Sequence, residues 1–255
     1  MNKNEIINYL KKQQFIQPET PLGVVIDKHN FSIISKSNFV AVSVDDGDFI
    51  EIPKYEFMNS EELCRDTEFY IKNQDMESAQ SCIECALRVD NQVEEENKNW
   101  NVYFYAGFIA LRQRIFDASI NLIKRSIELG CTELRKCYDY MAISSSILGR
   151  TEDALNYYKM AIEQTPLDSE VWHNIAGFYW DNQNLYKAVQ SYIKALECNI
   201  SYMPTYEELM NLTAQLNNQA ISDILKECYS NNKNITIEQL DMIKKWALSL
   251  KDNIK

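Results

Sequence analysis

Glycine and histidine are scarce in this 255-residue chain, which has six of the first and two of the second. None of the glycines falls in a Walker-type phosphate-cradling loop. The two histidines, His29 and His173, lie far apart in sequence, and neither has a nucleophile or an acid pair beside it, so no catalytic constellation is expected. No stretch approaches the roughly 18 unbroken apolar residues of a membrane helix. Positive charge is also in deficit: 26 Lys and Arg against 37 Asp and Glu give a net charge of −11. Nucleic acid and anionic membrane are both polyanions that require Lys/Arg neutralisation, so neither is an expected partner. The seven cysteines are odd in number and scattered, and the opening Met1-Asn2-Lys3-Asn4-Glu5 carries no apolar leader. Together these give the expectation of a reducing, cytoplasmic setting without a disulfide framework.

What the chain does have is repetition. Ala154-Leu155-Asn156-Tyr157-Tyr158-Lys159-Met160-Ala161-Ile162 returns 34 residues later as Ala188-Val189-Gln190-Ser191-Tyr192-Ile193-Lys194-Ala195-Leu196. That is the period of a helix–turn–helix solenoid. Small residues mark two earlier units, Ala118 in Phe116-Asp117-Ala118-Ser119 and Ala79 in Glu77-Ser78-Ala79-Gln80. Their wider spacing is accommodated by Gly130-Cys131-Thr132 and by the charged run Glu94-Glu95-Glu96-Asn97-Lys98.

The residue types at these spacings resemble the tetratricopeptide repeat family. Its pattern is a Trp, a Leu-Gly pair and a Tyr on one helix, then small, aromatic and small residues on the next, with a closing Pro. One unit offers Trp172, Ile175-Ala176, Tyr179, Ala188, Tyr192 and Ala195, with Ile200 in place of the Pro. The preceding unit offers Tyr138, Met141-Ala142, Ser145, Gly149, Ala154, Tyr158, Ala161 and Pro166. Weaker matches run Val102, Tyr105-Ala106, Ile109, Ala118, Leu122 and Ser126, and before them Leu63, Asp66-Thr67, Tyr70, Ala79, Ile83 and Ala86. Each set falls on one helical stripe facing a partner helix, so these residues read as core. The resemblance implies a mainly α, right-handed solenoid of about four helix–turn–helix repeats over residues 60–202.

The flanks differ. In residues 1–57 an amphipathic helix, about Asn4 to Phe15, precedes Pro18 and Pro21. β-Branched and aromatic runs follow, broken at Lys28-His29-Asn30, Lys36-Ser37-Asn38 and Asp45-Asp46-Gly47-Asp48. They predict a small antiparallel meander of three or four strands, docked on the first repeat because so small a sheet needs a covered face. Residues 203–255 predict three helices, Tyr206–Leu216, Gln219–Cys228 and Thr236–Leu250, without the repeat signature. Leu240, Ile243, Trp246 and Leu250 would cap the last repeat.

Sites for chemistry are thin. Cys82-Ile83-Glu84-Cys85 has zinc-like spacing but no second Cys/His pair, and reads as inert core. Asp45, Asp46 and Asp48 lack the EF-hand order and read as turn residues. No cofactor, metal or catalytic residue is expected. The resemblance places certain first-helix positions in a concave groove, and so nominates Trp100, Tyr103, Lys136, Asp139, Glu170, His173 and Trp180 as protein- or peptide-binding residues. Cys64 and Glu68 stand where the chaperone-binding subclass carries its carboxylate-clamp residues, so that clamp is not expected. Residues 60–98 hold eleven acidic against four basic residues, which suits a basic partner or a solvated face. The reading is a non-enzymatic protein- or peptide-binding scaffold. Its competitors are an enzyme or sensor built on the β region, marked by a cleft holding His29 beside Asp27 or Asp45, and a self-assembly unit.

Overall fold

The computed structural model describes residues 1–12, 22–26, 28–35 and 39–250. Phe15, Pro18, Pro21, Asp27 and Lys36-Ser37-Asn38, used above, lie outside the described residues. The chain forms two compact units, Met1–Ile109 and Ala110–Lys255.

In the first unit, α1 (Lys3–Lys12) precedes β1 (Leu22–Ile26), β2 (His29–Ser35), β3 (Phe39–Val44) and β4 (Ile50–Pro53). The strands form one antiparallel meander in chain order, with Ile26 opposite His29, Phe31 opposite Val44 and Val42 opposite Ile50. Strand alternation sends Phe31, Ile33, Val40, Val42 and Ile52 to one face, where Ile6, Ile7 and Leu10 of α1 cover them. Tyr9 stacks on Phe31 at 5.4 Å. The helix, rather than the first repeat, is therefore what buries the sheet. His29 opens β2 instead of standing in a turn, and the left-handed Lys28 (φ 73°) makes the reversal before it. Glu56 links this layer to the first repeat, with Lys3 Nζ at 4.0 Å and Arg88 Nη2 at 3.6 Å.

The first helix pair is α2 (Ser60–Lys72) and α3 (Met76–Asp90). Asn59 and Glu62 form a reciprocal capping box that satisfies free amides at the start of α2, and Asp75 caps α3. Next comes α4 (Trp100–Arg112), within which the two units meet in sequence.

The second unit contains α5 (Phe116–Glu128), α6 (Leu134–Ile147), α7 (Thr151–Gln164), α8 (Ser169–Asp181), α9 (Leu185–Cys198), α10 (Met203–Gln215), α11 (Gln219–Ser230) and α12 (Ile237–Leu250). Ala154, Ala161, Ala188 and Ala195 are fully buried, so the helices of α6/α7 and α8/α9 approach closely, with Tyr158 and Tyr192 filling the adjoining space. The reading of this core is sound for these two pairs.

One local geometry repeats throughout. Gln74, Arg114, Gly149, Gln183 and Asn217 each stand two residues beyond a helix end and each adopt a left-handed φ, from 56° to 73°. In every case the following amide donates back to a carbonyl in the last helical turn, as Asp75 does to Tyr70, Ile115 to Ala110, Arg150 to Ser145, Asn184 to Tyr179 and Asn218 to Thr213. This is the Schellman closure of a helix end, and it recurs at Gly130 after α5 and at Asn232 after α11, where Cys131 donates to Ser126 and Lys233 to Cys228. Spacing is what corrects the sequence reading of the C-terminus. The α10/α11 pair starts 34 residues after α8/α9 and turns in the same way, so it is a further helix–turn–helix unit, not part of a cap. Its signature is hidden because buried Thr205, Tyr206, Leu209, Thr213 and Ser222 replace the usual residues.

The true cap is α12. It packs beside α9, placing Leu240, Ile243, Ala247 and Leu250 in the core with half-buried Trp246 against it, and Lys244 Nζ meets Glu197 Oε1 at 2.8 Å.

The second repeat also needs correction, by one residue. Helix α5 buries Ser119, Ile123 and Ser126, at the fourth, eighth and eleventh positions where α7 buries Ala154, Tyr158 and Ala161. Ser119, not Ala118, thus corresponds to the buried small residue Ala154 of α7. On α4 the same shift brings Tyr103 to the level of Trp172, a packing position, because α4 starts 69 residues before α8 rather than 70.

Candidate functional site

A cavity of about 390 Å³ opens in the second unit, walled by side chains of α6 to α10. Ile143, Ser146 and Ile147 of α6 form one side. His173, Asn174, Gly177, Trp180 and Asp181 of α8 form the floor, Tyr158 and Tyr192 close it from α7 and α9, and Glu208 of α10 stands opposite. First helices supply most of this lining because their inward stripe is taken up by the partner helix, which leaves the next stripe free.

The nominated residues separate clearly. His173 and Trp180 line the cavity, both half-buried. His173 Nδ1 lies 3.1 Å from Thr205 Oγ1, and its ring packs between Tyr192 (5.4 Å) and Tyr202 (5.6 Å). Burial lowers the His173 pKa below its ordinary 6.5, which favours the neutral ring. Trp180 donates its indole N–H to Gln215 Oε1 at 3.1 Å and meets Tyr192 edge-on.

Asp139 is 1% exposed and offers no surface to a partner. Asn174, itself part of the lining, donates to both its carboxylate oxygens at 3.1 and 2.9 Å. Arg135 lies 3.8 Å from Asp139, and also holds Asp168 at 3.2 Å and Glu170 at 3.0 Å. Desolvation, with a smaller contribution from the Glu170 and Asp168 charges, raises the Asp139 pKa to about 7 despite the Asn174 hydrogen bonds and the Arg135 charge. Asp139 therefore positions the lining rather than forming it. Lys136 and Glu170 lie at the surface in ion pairs, Lys136 with Glu133 at 2.8 Å.

Trp100 and Tyr103 belong to the first unit. Trp100 packs edge-on to Phe104 at 6.2 Å, while Tyr103 is only 7% exposed, its phenol raised in pKa by burial and by Asp90. Tyr103 is thus a core residue, as its corrected register requires. Reasoning on spacing missed Tyr158, Gly177, Asp181, Tyr192 and Glu208. Tyr158 and Tyr192 read as helix-crossing aromatics, and nothing in the sequence marks that their edges also face an opening.

The other candidate centres resolve differently. His29 Nδ1 is 2.6 Å from Asp45 Oδ2, within the reach that an enzyme reading asks for. Both side chains are exposed, and Asp45 also accepts from the Asn30 amide, so the pair ties β2 to the turn after β3. The cavity described in the first unit is lined by Ile7, Glu56, Cys85 and Arg88 among others, and includes neither residue. Cys82 is buried and its thiol pushed up to about 12, while Arg88 contacts Cys85 Sγ at 2.6 Å. Cys131 and Cys137 bring their sulfurs within 3.5 Å. Among the described residues no group of three or more His, Cys, Asp or Glu is placed to hold a metal ion, and no helix is long and apolar enough to cross a membrane.

Comparison with known proteins agrees with this architecture. Residues 169–199, the α8/α9 pair, match the tetratricopeptide repeat model. Among solved structures, the PilF protein of Pseudomonas aeruginosa superposes with a TM-score of 0.55 at 11% identity, covering 76% of this chain and 84% of that one. A fragment of MamA from Desulfovibrio magneticus RS-1, running from residue 41 to its end, gives 0.50 at 10% identity, covering 68% and 92%. No curated protein matches the chain in sequence. The α8/α9 pair thus matches a tetratricopeptide repeat, and the fold of the chain is similar to that of these two solved structures.

Proposed function

We propose that this chain is a non-enzymatic scaffold that holds a protein or peptide segment against the α6–α8–α10 face of its second unit. The observation that carries the reading is the cavity itself, lined by half-buried aromatic groups with polar handles. Groups of that kind supply rigid contact area at low entropic cost and are enriched at interaction hot spots. Hydrogen bonds between His173 and Thr205 and from Trp180 to Gln215 hold two of them in place before any partner arrives, and such preorganisation lowers the cost of binding. The acidic balance of the chain favours a basic partner in a reducing, cytoplasmic setting.

Phage-displayed random peptides selected on the wild-type protein test the reading. Trp180→Ala should weaken the selected peptides by about tenfold or more, the loss expected at a hot spot, and His173→Ala should weaken them to a smaller extent. Peptides indifferent to both substitutions would remove the cavity from the function.

A further inference from the structure

The charge pattern of this cavity is one-sided. Asp181, exposed at the end of α8, and Glu208, half-buried on α10, are its ionisable rim apart from His173, and no Lys or Arg lines it among the described residues. Neither carboxylate is in an ion pair among the described residues, although Arg135, Lys136, Arg150, Lys194 and Lys244 of the same unit all are. Burial first, and then the like charges of Glu207 and Asp181, raise the Glu208 pKa, and both Asp181 and Glu208 act on the Tyr192 phenol.

The walls carry a second, independent sign. Tyr158 and Tyr192 are 2% and 1% exposed, and neither hydroxyl has a hydrogen-bond partner among the described residues. Tyr192 directs its hydroxyl toward Gly177, where a Cβ would lie 3.9 Å away, and Trp180 stands edge-on to its ring at 6.4 Å. An ammonium or guanidinium group satisfies every one of these features: it donates to phenol oxygens, neutralises two carboxylates and packs on aromatic faces.

We infer that the cavity between α6, α8 and α10 is a pocket for one Lys or Arg side chain of a bound peptide, clamped by Asp181 and Glu208 above the phenols of Tyr158 and Tyr192. The inference rests on the scaffold reading and adds the chemistry of its partner. An anionic or purely apolar anchor would leave both carboxylates uncompensated.

The phage-selected peptides provide the test, since two protein variants separate the two claims. Enriched sequences should share a Lys or Arg. Replacing that residue by citrulline or norleucine in the synthetic peptide, or combining Asp181→Asn with Glu208→Gln in the protein, should each cost about tenfold or more in affinity, with an unchanged helical spectrum. Peptides that need Trp180 yet carry no basic residue, or that ignore the double variant, overturn the cation pocket and leave the scaffold reading intact. Peptides indifferent to Trp180, or no enrichment at all, overturn both. A concentration-dependent dimer dispersed by the double variant would place a second copy of the chain in the cavity and overturn the inference.

Discussion

Trp180 on α8 donates its indole N–H to Gln215 on α10, 35 residues later in the chain. The same offset joins Asp139 to Asn174 and Arg135 to Glu170 between α6 and α8. A 34-residue repeat places equivalent positions of successive first helices side by side, and one residue more is the neighbour across the gap. These polar rungs therefore set the stacking register of three first helices and fix the residues that line the cavity above them.

The helix hairpins carry removable strain. Gln183 sits at φ 58° in the α8–α9 turn, where Gly149 serves the equivalent turn between α6 and α7. A left-handed conformation costs a side-chain-bearing residue roughly 1–2 kcal/mol, part of which glycine returns as entropy lost on folding. Gln183→Gly should raise stability by about 0.5–1 kcal/mol in chemical denaturation. A loss of stability would mean that the Gln183 side chain contributes contacts outweighing the strain.

Asp139 predicts a pH dependence of definite sign. Its folded pKa is about 7, against an ordinary 3.8, so between those values the folded chain keeps a proton that the unfolded chain has released. The resulting stability is full below about pH 4 and is lost as pH rises through about 7. His173 acts in the opposite sense: its lowered pKa gives stability that is full above 6.5 and lost as pH falls. Denaturation midpoints measured from pH 4 to 8 on wild type and Asp139→Asn should differ by a slope that falls with pH. Parallel curves would show that Asp139 stays ionised beside Arg135.

Tyr206 fastens the cap. It is fully buried, donates to the Ile200 carbonyl at 2.7 Å and accepts from the Ile235 amide at 2.9 Å, just before α12. Tyr206→Phe leaves that buried amide without its acceptor and should cost about 1–3 kcal/mol. Amide hydrogen exchange should rise first in residues 232–250, and uniform destabilisation would argue against a separable cap.

How much of this was legible in the sequence depends on what each residue had to announce. The 34-residue echo placed α6 to α9 because Ala154, Ala161, Ala188 and Ala195 are small where helices cross, a requirement that leaves little choice. The second repeat slipped by one because Ala118 and Ser119 are both small, and only the structure shows which of them is buried. Helices α10 and α11 were expected, but not their kinship to the repeats, because Thr205, Tyr206, Leu209, Thr213 and Ser222 stand at their buried positions in place of the signature residues. The cavity was half legible. The resemblance to the repeat family nominated His173 and Trp180, whereas Asp181, Glu208 and the two phenols meet only once three repeats are stacked.

Gly177 gives the most direct access to the central claim, that the cavity holds the partner. It lies mid-helix on the cavity floor, and an added Cβ meets nothing nearer than the Tyr192 hydroxyl at 3.9 Å. Gly177→Ala should therefore stabilise the protein by about 0.5–1 kcal/mol. Gly177→Phe would fill the space from within. Calorimetric titration of a selected peptide into Gly177→Phe, with the fold verified by its thermal transition, should show binding abolished while Gly177→Ala still binds. Undiminished binding by a folded Gly177→Phe protein would contradict the account and move the site elsewhere on the chain.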